Sequence, residues 1–419
     1  MLARAPVLAA AAAAALLLGV AGCGSARPSG QQAPGQQAPA HGAPSGSAAS
    51  SQVRSGSNPA ATPSSAAPAA AAPGPVPAGF AATSVTFVSA DEAFVLGTAP
   101  CAHAPCTAIL RTRDRGATWA ALPAPPVPVG EPGATTASIV WGIRFATPEH
   151  GFVFGDSGVW ETTDGGARWT RDFTPAGSFL SLAIAAGQVL AINALCVPDG
   201  GCQDAALIRR PLNSRSPGGG TWTGVAQTTV GNLLDPDDMI ATQAGVAAVL
   251  DGRDVLVTRD GGLTHTTNPV PCPGEPGAPS VAVTSATGLV LLCIGGGYTG
   301  HTVKQIYVSD DDGAHWTAAG VPSPAGDGGT IAATTTGEVA IATASAASWL
   351  FHSGDRGVTW QTVNTQFDGG MGWADLGFTT ATDGVVVHGP ADSDGNSTKR
   401  PGQLFLTSDG GASWTPVSF

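Results

Sequence analysis

The chain has 419 residues, 11% of them charged, with 58 Gly, 34 Pro and a formal net charge of -12 at pH 7. Only two of the 18 basic residues are Lys, and a phosphate backbone needs clustered cations, so the balance excludes nucleic acid as a partner. The acidity fits the solubility of an exported protein.

Met1-Leu2-Ala3-Arg4 is a short positive start, followed by an apolar run from Ala5 to Val20. That run is shorter than the roughly 20 residues a bilayer-spanning helix needs. Val20-Ala21-Gly22-Cys23 resembles the lipobox of bacterial lipoproteins, small residues directly before a cysteine. The resemblance implies that residues 1–22 are a signal peptide and that Cys23 is acylated and becomes the new N-terminus. The chain would then sit lipid-anchored on the outer face of the cytoplasmic membrane or in the cell envelope. From Gly24 to Gly79 nearly every residue is Ala, Pro, Ser, Gly or Gln. Too little apolar surface is present there to offset chain entropy, so a disordered, Pro-extended tether is expected over 23–79.

Six further cysteines fall into near-neighbour pairs: Cys101 with Cys106, Cys196 with Cys202, and Cys272 with Cys293. In an oxidising compartment these read as three disulfides. Zinc is the rival, but neither short pair has CxxC spacing, and His103 is the only histidine lying between two paired cysteines.

An eight-residue pattern recurs from there on: Thr/Ser, any, Asp, any, Gly, any, Thr/Ser, Trp. Thr112–Trp119 around Asp114, Ser353–Trp360 around Asp355 and Thr407–Trp414 around Asp409 fit in full. Thr162–Trp169 around Asp164 has Arg168 in the seventh place, Ser309–Trp316 around Asp311 has His315, and Thr258–His265 around Asp260 ends on His265. A degenerate copy, Asn213–Trp222, keeps Gly220-Thr221-Trp222 but has lost the Asp. The copies centre near 114, 164, 215, 260, 311, 355 and 409, about one every fifty residues, a period that suits four-stranded propeller blades. Short apolar runs such as Trp141–Phe145 and Gly151–Gly155 precede each copy, bounded by Gly, Asp or Pro, and no sustained helical period interrupts them. The expected fold is all-β: a single β-propeller over 80–419 with seven four-stranded blades.

The pattern resembles the Asp-box, or bacterial neuraminidase repeat, of sialidases, sortilin-type receptors, two-domain xyloglucanases and photosystem-assembly-factor propellers. The resemblance speaks for fold and hardly for activity. The Asp carboxylate is expected to take backbone N–H groups across a turn, the Gly to supply a conformation closed to other residues, and the Trp to pack beneath. Asp114, Asp164, Asp260, Asp311, Asp355 and Asp409 are therefore read as structural rather than metal-binding or catalytic.

In the families resembled, the opposite face, made by blade linkers and second-to-third-strand loops, carries the ligand site. A sialidase needs a tyrosine nucleophile, acids and an arginine clamp. Tyr298 and Tyr307 are the only tyrosines, and Arg144, Arg253 and Arg400 are scattered, so that activity is not expected. A two-carboxylate glycosidase is the alternative function, with candidate acids Asp235, Asp237, Asp238, Glu275, Asp327, Asp368 and Asp375. Asp375 stands out because Gly142 holds the matching place in the second blade, and Trp373 beside it suits stacking on a sugar or a partner side chain; Trp141 is its counterpart. The competing reading makes Asp375 an acceptor of inter-blade backbone bonds. Asp392-Ser393-Asp394-Gly395-Asn396 looks like the start of a calcium loop but lacks the downstream Glu. The expectation is a monomeric, non-catalytic, membrane-tethered propeller that needs no cofactor or metal. It binds a protein or glycan on its loop face through Trp373, Asp375, Asp368 and Trp141.

Overall fold

A computed structural model describes residues 73–103, 106–130, 138–172, 175–197, 201–212, 220–227, 239–272, 279–298, 300–390 and 402–419. All lie in the second of two compact units, Ala67–Phe419. Cys23 and the segment around it fall outside the described residues.

Twenty-eight strands form seven antiparallel sheets of four. In chain order the blades are β1–β4 (Ala81–Phe87, Ala93–Thr98, Thr107–Thr112, Ala120–Leu122), β5–β8 (Gly142–Phe145, Gly151–Gly155, Gly158–Thr162, Thr170–Asp172) and β9–β12 (Ser178–Ala185, Gln188–Val197, Gly201–Pro211, Thr223–Gln227). They continue as β13–β16 (Ile240–Gln243, Val246–Asp251, Asp254–Thr258, Thr266–Pro269) and β17–β20 (Ser280–Val283, Leu289–Tyr298, His301–Ser309, Thr317–Ala318). The last two are β21–β24 (Asp327–Ala333, Val339–Ala344, Ser348–Ser353, Gln361–Gln366) and β25–β28 (Trp373–Phe378, Gly384–His388, Gln403–Thr407, Thr415–Pro416). The first strand of each blade touches the first strand of the next, and β25 touches β1. The molecule is a single seven-bladed β-propeller.

The apolar core lies between blades, because both faces of a middle blade strand are covered by neighbouring sheets. Phe94 and Phe145, from consecutive blades, stack with ring centroids 3.5 Å apart. β6 and β26 are buried at every position, which is why they read as continuous apolar runs rather than alternating ones.

No strand is exchanged at the ring's closure, since every blade takes four consecutive strands. The seam between blades seven and one is held instead by the Ala82 N–H donating to Gly402 O at 2.7 Å and by Phe80 against Phe419, centroids 4.9 Å apart. Gly74 also exchanges both backbone hydrogen bonds with Ala121 of β4, at 2.8 and 2.9 Å. Chain pairing therefore starts a few residues before Phe80, the expected first folded residue.

Candidate functional site

The recurring turns join third to fourth strands and share one face of the ring with the first-to-second-strand turns. In each well-formed copy the first hydroxyl sits opposite the start of the second strand, as in Ala93↔Thr112 and Gly151↔Thr162. That hydroxyl accepts the N–H of the fifth-place glycine, 2.9 Å for Thr112 and Gly116, and donates to the Asp carboxylate. The carboxylate also accepts the seventh residue's N–H and side chain, at 2.8 and 2.6 Å from Thr118 to Asp114. Arg168 and His315 make the equivalent side-chain contacts to Asp164 and Asp311. Backbone and side-chain bonds from Thr264 and Thr359 hold the Asp260 and Asp355 carboxyls down to about 2, as His315 does for Asp311. The fourth and fifth places both have positive φ, 57° at Arg356 and 87° at Gly357, the type I′ geometry of tight hairpins. A Cβ on Gly357 would lie 2.8 Å from Ile306 of the preceding blade, so glycine also lets the turn lie against its neighbour. All of this is turn construction, and the six aspartates spend their acceptors on it.

The third blade departs from the expected Asn213–Trp222 copy. Residues 213–219 lie outside the described set, but Val189↔Arg210 is the register that places a hydroxyl in the other blades. Arg210 therefore occupies the first turn position, and Trp222, directly before β12, the last. Arg210 is fully buried and bonds Glu161 at 2.8 Å and Asp172 at 3.2 Å, both on blade two. Trp222 Nε1 also donates to Asp172, at 3.3 Å. A salt-bridged staple to the neighbouring blade thus stands where the other blades place the first turn hydroxyl.

Asp375 occupies the inner channel. Its Oδ2 accepts the Val85 N–H at 2.6 Å and its Oδ1 accepts Arg144 Nη2 at 2.6 Å. A cavity of about 350 Å³ lies here, lined by Arg144, Gln243, Asp375 and apolar residues such as Val281 and Ala332. The channel is spanned where Gln243 Nε2 reaches across blade five to Ala333 O, 3.2 Å away. Asp375 is the only carboxylate among the named lining residues, and both its oxygens are engaged. Among the described lining residues no second acid stands beside it, whereas glycoside hydrolysis uses a pair roughly 5–10 Å apart.

The opposite face holds the other candidates. Trp373 and Trp141 are 7% and 3% exposed, so neither offers a ring face to a ligand. Trp141 Nε1 donates to Leu180 O at 3.4 Å, while Trp373 packs on His388, centroids 4.7 Å apart. Asp368 accepts His388 Nε2 at 2.5 Å and Ser348 Oγ at 3.0 Å. Burial pushes its carboxyl up, but the Gly370 N–H, His388 and Ser348 outweigh this and hold it below its ordinary value. Both Ser348 and His388 point at Asp368, so the three do not form a nucleophile–base relay. Asp156, in the β6–β7 turn, is pushed above the ordinary carboxylate value by burial, against a Ser178 hydrogen bond. Lys304 is fully buried, its ammonium held by Thr302, Pro324, Ala325 and Gly326 oxygens at 2.8 to 3.4 Å. Asp327 and Arg253 are exposed and Tyr307 is partly buried against the blade-five core. Asp235, Asp237, Asp238, Glu275, Arg400 and Asp392–Asn396 lie outside the described residues. Among those described, no group of three His, Cys, Asp or Glu side chains could hold a metal ion.

Three disulfides join Cys101–Cys106, Cys196–Cys202 and Cys272–Cys293. Cys196 and Cys202 stand opposite each other on β10 and β11, stiffening a hairpin that projects on this face. The β18–β19 hairpin is similarly long and leans onto blade six, where Thr302 N–H donates to Pro324 O at 3.2 Å and Ser345 Oγ to Gly300 O at 3.2 Å. Composition did not single out what the two then display, Leu195 at 52% exposed and Val303 at 57%, nor Phe367, in the linker before β25, at 91%.

The fold defines a β-propeller. No protein-family profile matches the sequence, and no curated protein is detectably similar to it. Among solved structures the chain is similar to YCF48 bound to a D1 peptide, at 17% identity and TM-score 0.49, covering 81% of this chain and 94% of that one. It is similar to YCF48 from Cyanidioschyzon merolae at 16% identity and TM-score 0.49, with 81% and 96% covered. An ancestral GH74 enzyme aligns at 12% identity and TM-score 0.44, with 81% of this chain and 45% of that one covered. At these identities the likeness concerns the fold alone.

Proposed function

We propose that this chain is an exported propeller, lipid-anchored through Cys23 by a tether ending near Gly79, that binds a protein or glycan on its loop face without chemistry. The exposed apolar surface of blades five to seven carries this reading. Phe367, 91% exposed, shares that face with Val303 near the tip of the β18–β19 hairpin, and the hydrogen bonds from Thr302 and Ser345 hold the hairpin against blade six. Leu263 and Val358 are similarly exposed on the recurring-turn face, so it is Phe367, the most exposed large apolar side chain among the described residues, that singles out the loop face. Asp375 and Asp368 are engaged by Arg144 and His388 instead. Their role in this reading is to hold the face in shape. Three disulfides fit an oxidising compartment.

The test places a photo-crosslinking phenylalanine at position 367 of the full chain in its own cell, with position 263 on the recurring-turn face as control. A defined adduct at 367 and none at 263 is expected; equal adducts, or none at 367, would reject the loop face. Cys23→Ser should move the protein from the membrane pellet to the supernatant, and retention in the pellet would remove the lipid anchor.

A further inference from the structure

Blade six ends in an outer strand unlike the other six. β24 has six residues, Gln361–Gln366, the longest of the outermost strands. Exposed edges are normally blunted by shortness, charge, proline or a covering segment, since a row of unpaired N–H and C=O groups invites another strand. Four of the remaining blades use these devices: β20 and β28 have two residues each, β8 carries Arg171 and Asp172 and β16 ends on Pro269; β12 is one residue shorter than β24 and is weakened by Gly224. β4 is covered, because Gly74 pairs with Ala121 through two backbone hydrogen bonds. β24, with the sequence Gln-Thr-Val-Asn-Thr-Gln, has no charge, proline or glycine, and its one irregularity is the register shift at Val363, between the pairs Phe351↔Thr362 and Leu350↔Asn364. Among the described residues no backbone group outside β23 bonds to it. Phe367 follows it directly.

We infer that the outer edge of β24 is a strand-addition site, where an extended segment of a partner polypeptide pairs as a fifth strand and covers Phe367 with an apolar side chain. A glycan has no regular row of amide donors and acceptors to match such an edge, whereas a polypeptide backbone has both. The molecule already performs the same pairing on itself at β4. The site names the partner of the loop-face reading and rests on that reading through Phe367 alone; the edge is an independent observation.

The experiment selects a phage-displayed library of random twelve-residue peptides against the full chain and maps enriched peptides by hydrogen exchange. Protection is expected across residues 361–366. Thr362→Lys with Asn364→Lys should weaken those peptides at least tenfold and Phe367→Ala severalfold. Leu263→Lys with Val358→Lys, adding the same charge on the recurring-turn face, should leave them unchanged. Exchange on the unsubstituted protein needs no variant to fold. No enriched peptide, or equal binding by the edge-charged variant with its thermal midpoint intact, would overturn strand addition. Protection around Val303 instead would overturn it while sparing the loop-face reading; protection on neither surface would overturn both.

Discussion

Asp375 and Arg144 belong to blades seven and two, yet their side chains meet at 2.6 Å across the inner edge of blade one. The other Asp375 oxygen takes the Val85 N–H of the blade between them, at 2.6 Å. Ser84 Oγ accepts from the Ile143 N–H and Arg144 Nη1, at 3.1 and 3.2 Å. Three blades are thus tied together beside a seam that lacks strand exchange. Asp375 does this from a left-handed backbone, φ 52°, which aspartate and asparagine tolerate better than most residues.

Asp375→Asn keeps the backbone preference but removes the ion pair, so it should lower unfolding stability by about 3 kcal/mol, as when one partner of a buried pair is lost. Asp375→Ala should fall further, because alanine adds the left-handed backbone cost of about 1–2 kcal/mol. Urea denaturation gives both values. Wild-type stability in either variant would mean that the pair does not hold the seam.

Arg210 offers a second test of inter-blade tying. Its side chain is 1% exposed, against Glu161 at 0% and Asp172 at 6%, and it also lies 5.0 Å from the Trp222 ring centroid. Arg210→Met leaves two buried carboxylates facing an apolar chain, for a loss of about 3–5 kcal/mol. Replacing the set together, with Glu161→Gln and Asp172→Asn, should recover part of it. A non-additive cycle in chemical denaturation is the expected signature, and simple additivity would argue for independent roles.

The sevenfold period was legible because each turn spends the same few residues on the same bonds, so fold chemistry repeats visibly along the chain. Arg210 was hidden because its partners lie 38 and 49 residues away and insertion moved the surviving Trp222 out of frame. The inter-blade reading of Asp375 could be stated from sequence, but its Arg144 partner is a ring-closure contact 231 residues distant. Trp373 and Trp141 looked fit for stacking because an aromatic at a strand start gives no sign of whether a linker will cover it. Phe367 was overlooked for the converse reason: exposure belongs to the assembled face, and a lone Phe in a linker has no period.

His388 makes the pH response predictable in sign. It is 3% exposed, and burial pushes its imidazole below the ordinary value, against the pull of Asp368. With Nε2–H given to Asp368, Nδ1 has no hydrogen-bond partner among the described residues, so the neutral ring is the form the fold accepts. The native state then takes up a proton less readily than the unfolded chain. Its contribution is full above about pH 6.5, the ordinary histidine value, and is lost as pH falls through the lower native value. Unfolding free energy measured from pH 7.5 to pH 5 should decline more steeply in wild type than in His388→Gln. Parallel curves would place the acid sensitivity elsewhere.

The Cys272–Cys293 bridge should matter most of the three disulfides. It closes a separation of 21 residues, against 5 and 6 for the others, and chain entropy rewards the longer loop with roughly 3 kcal/mol. Cys293 is also 2% exposed within the core of blades four and five, so loss of the bridge also disturbs a packed apolar site. Cys272→Ser with Cys293→Ser should therefore lower the thermal midpoint more than Cys101→Ser with Cys106→Ser. The two short bridges restrain loops that the blade sheets already hold at both ends. Calorimetry on the three double variants orders them, and a larger loss from either short pair would show that loop-face geometry, rather than chain entropy, sets their worth.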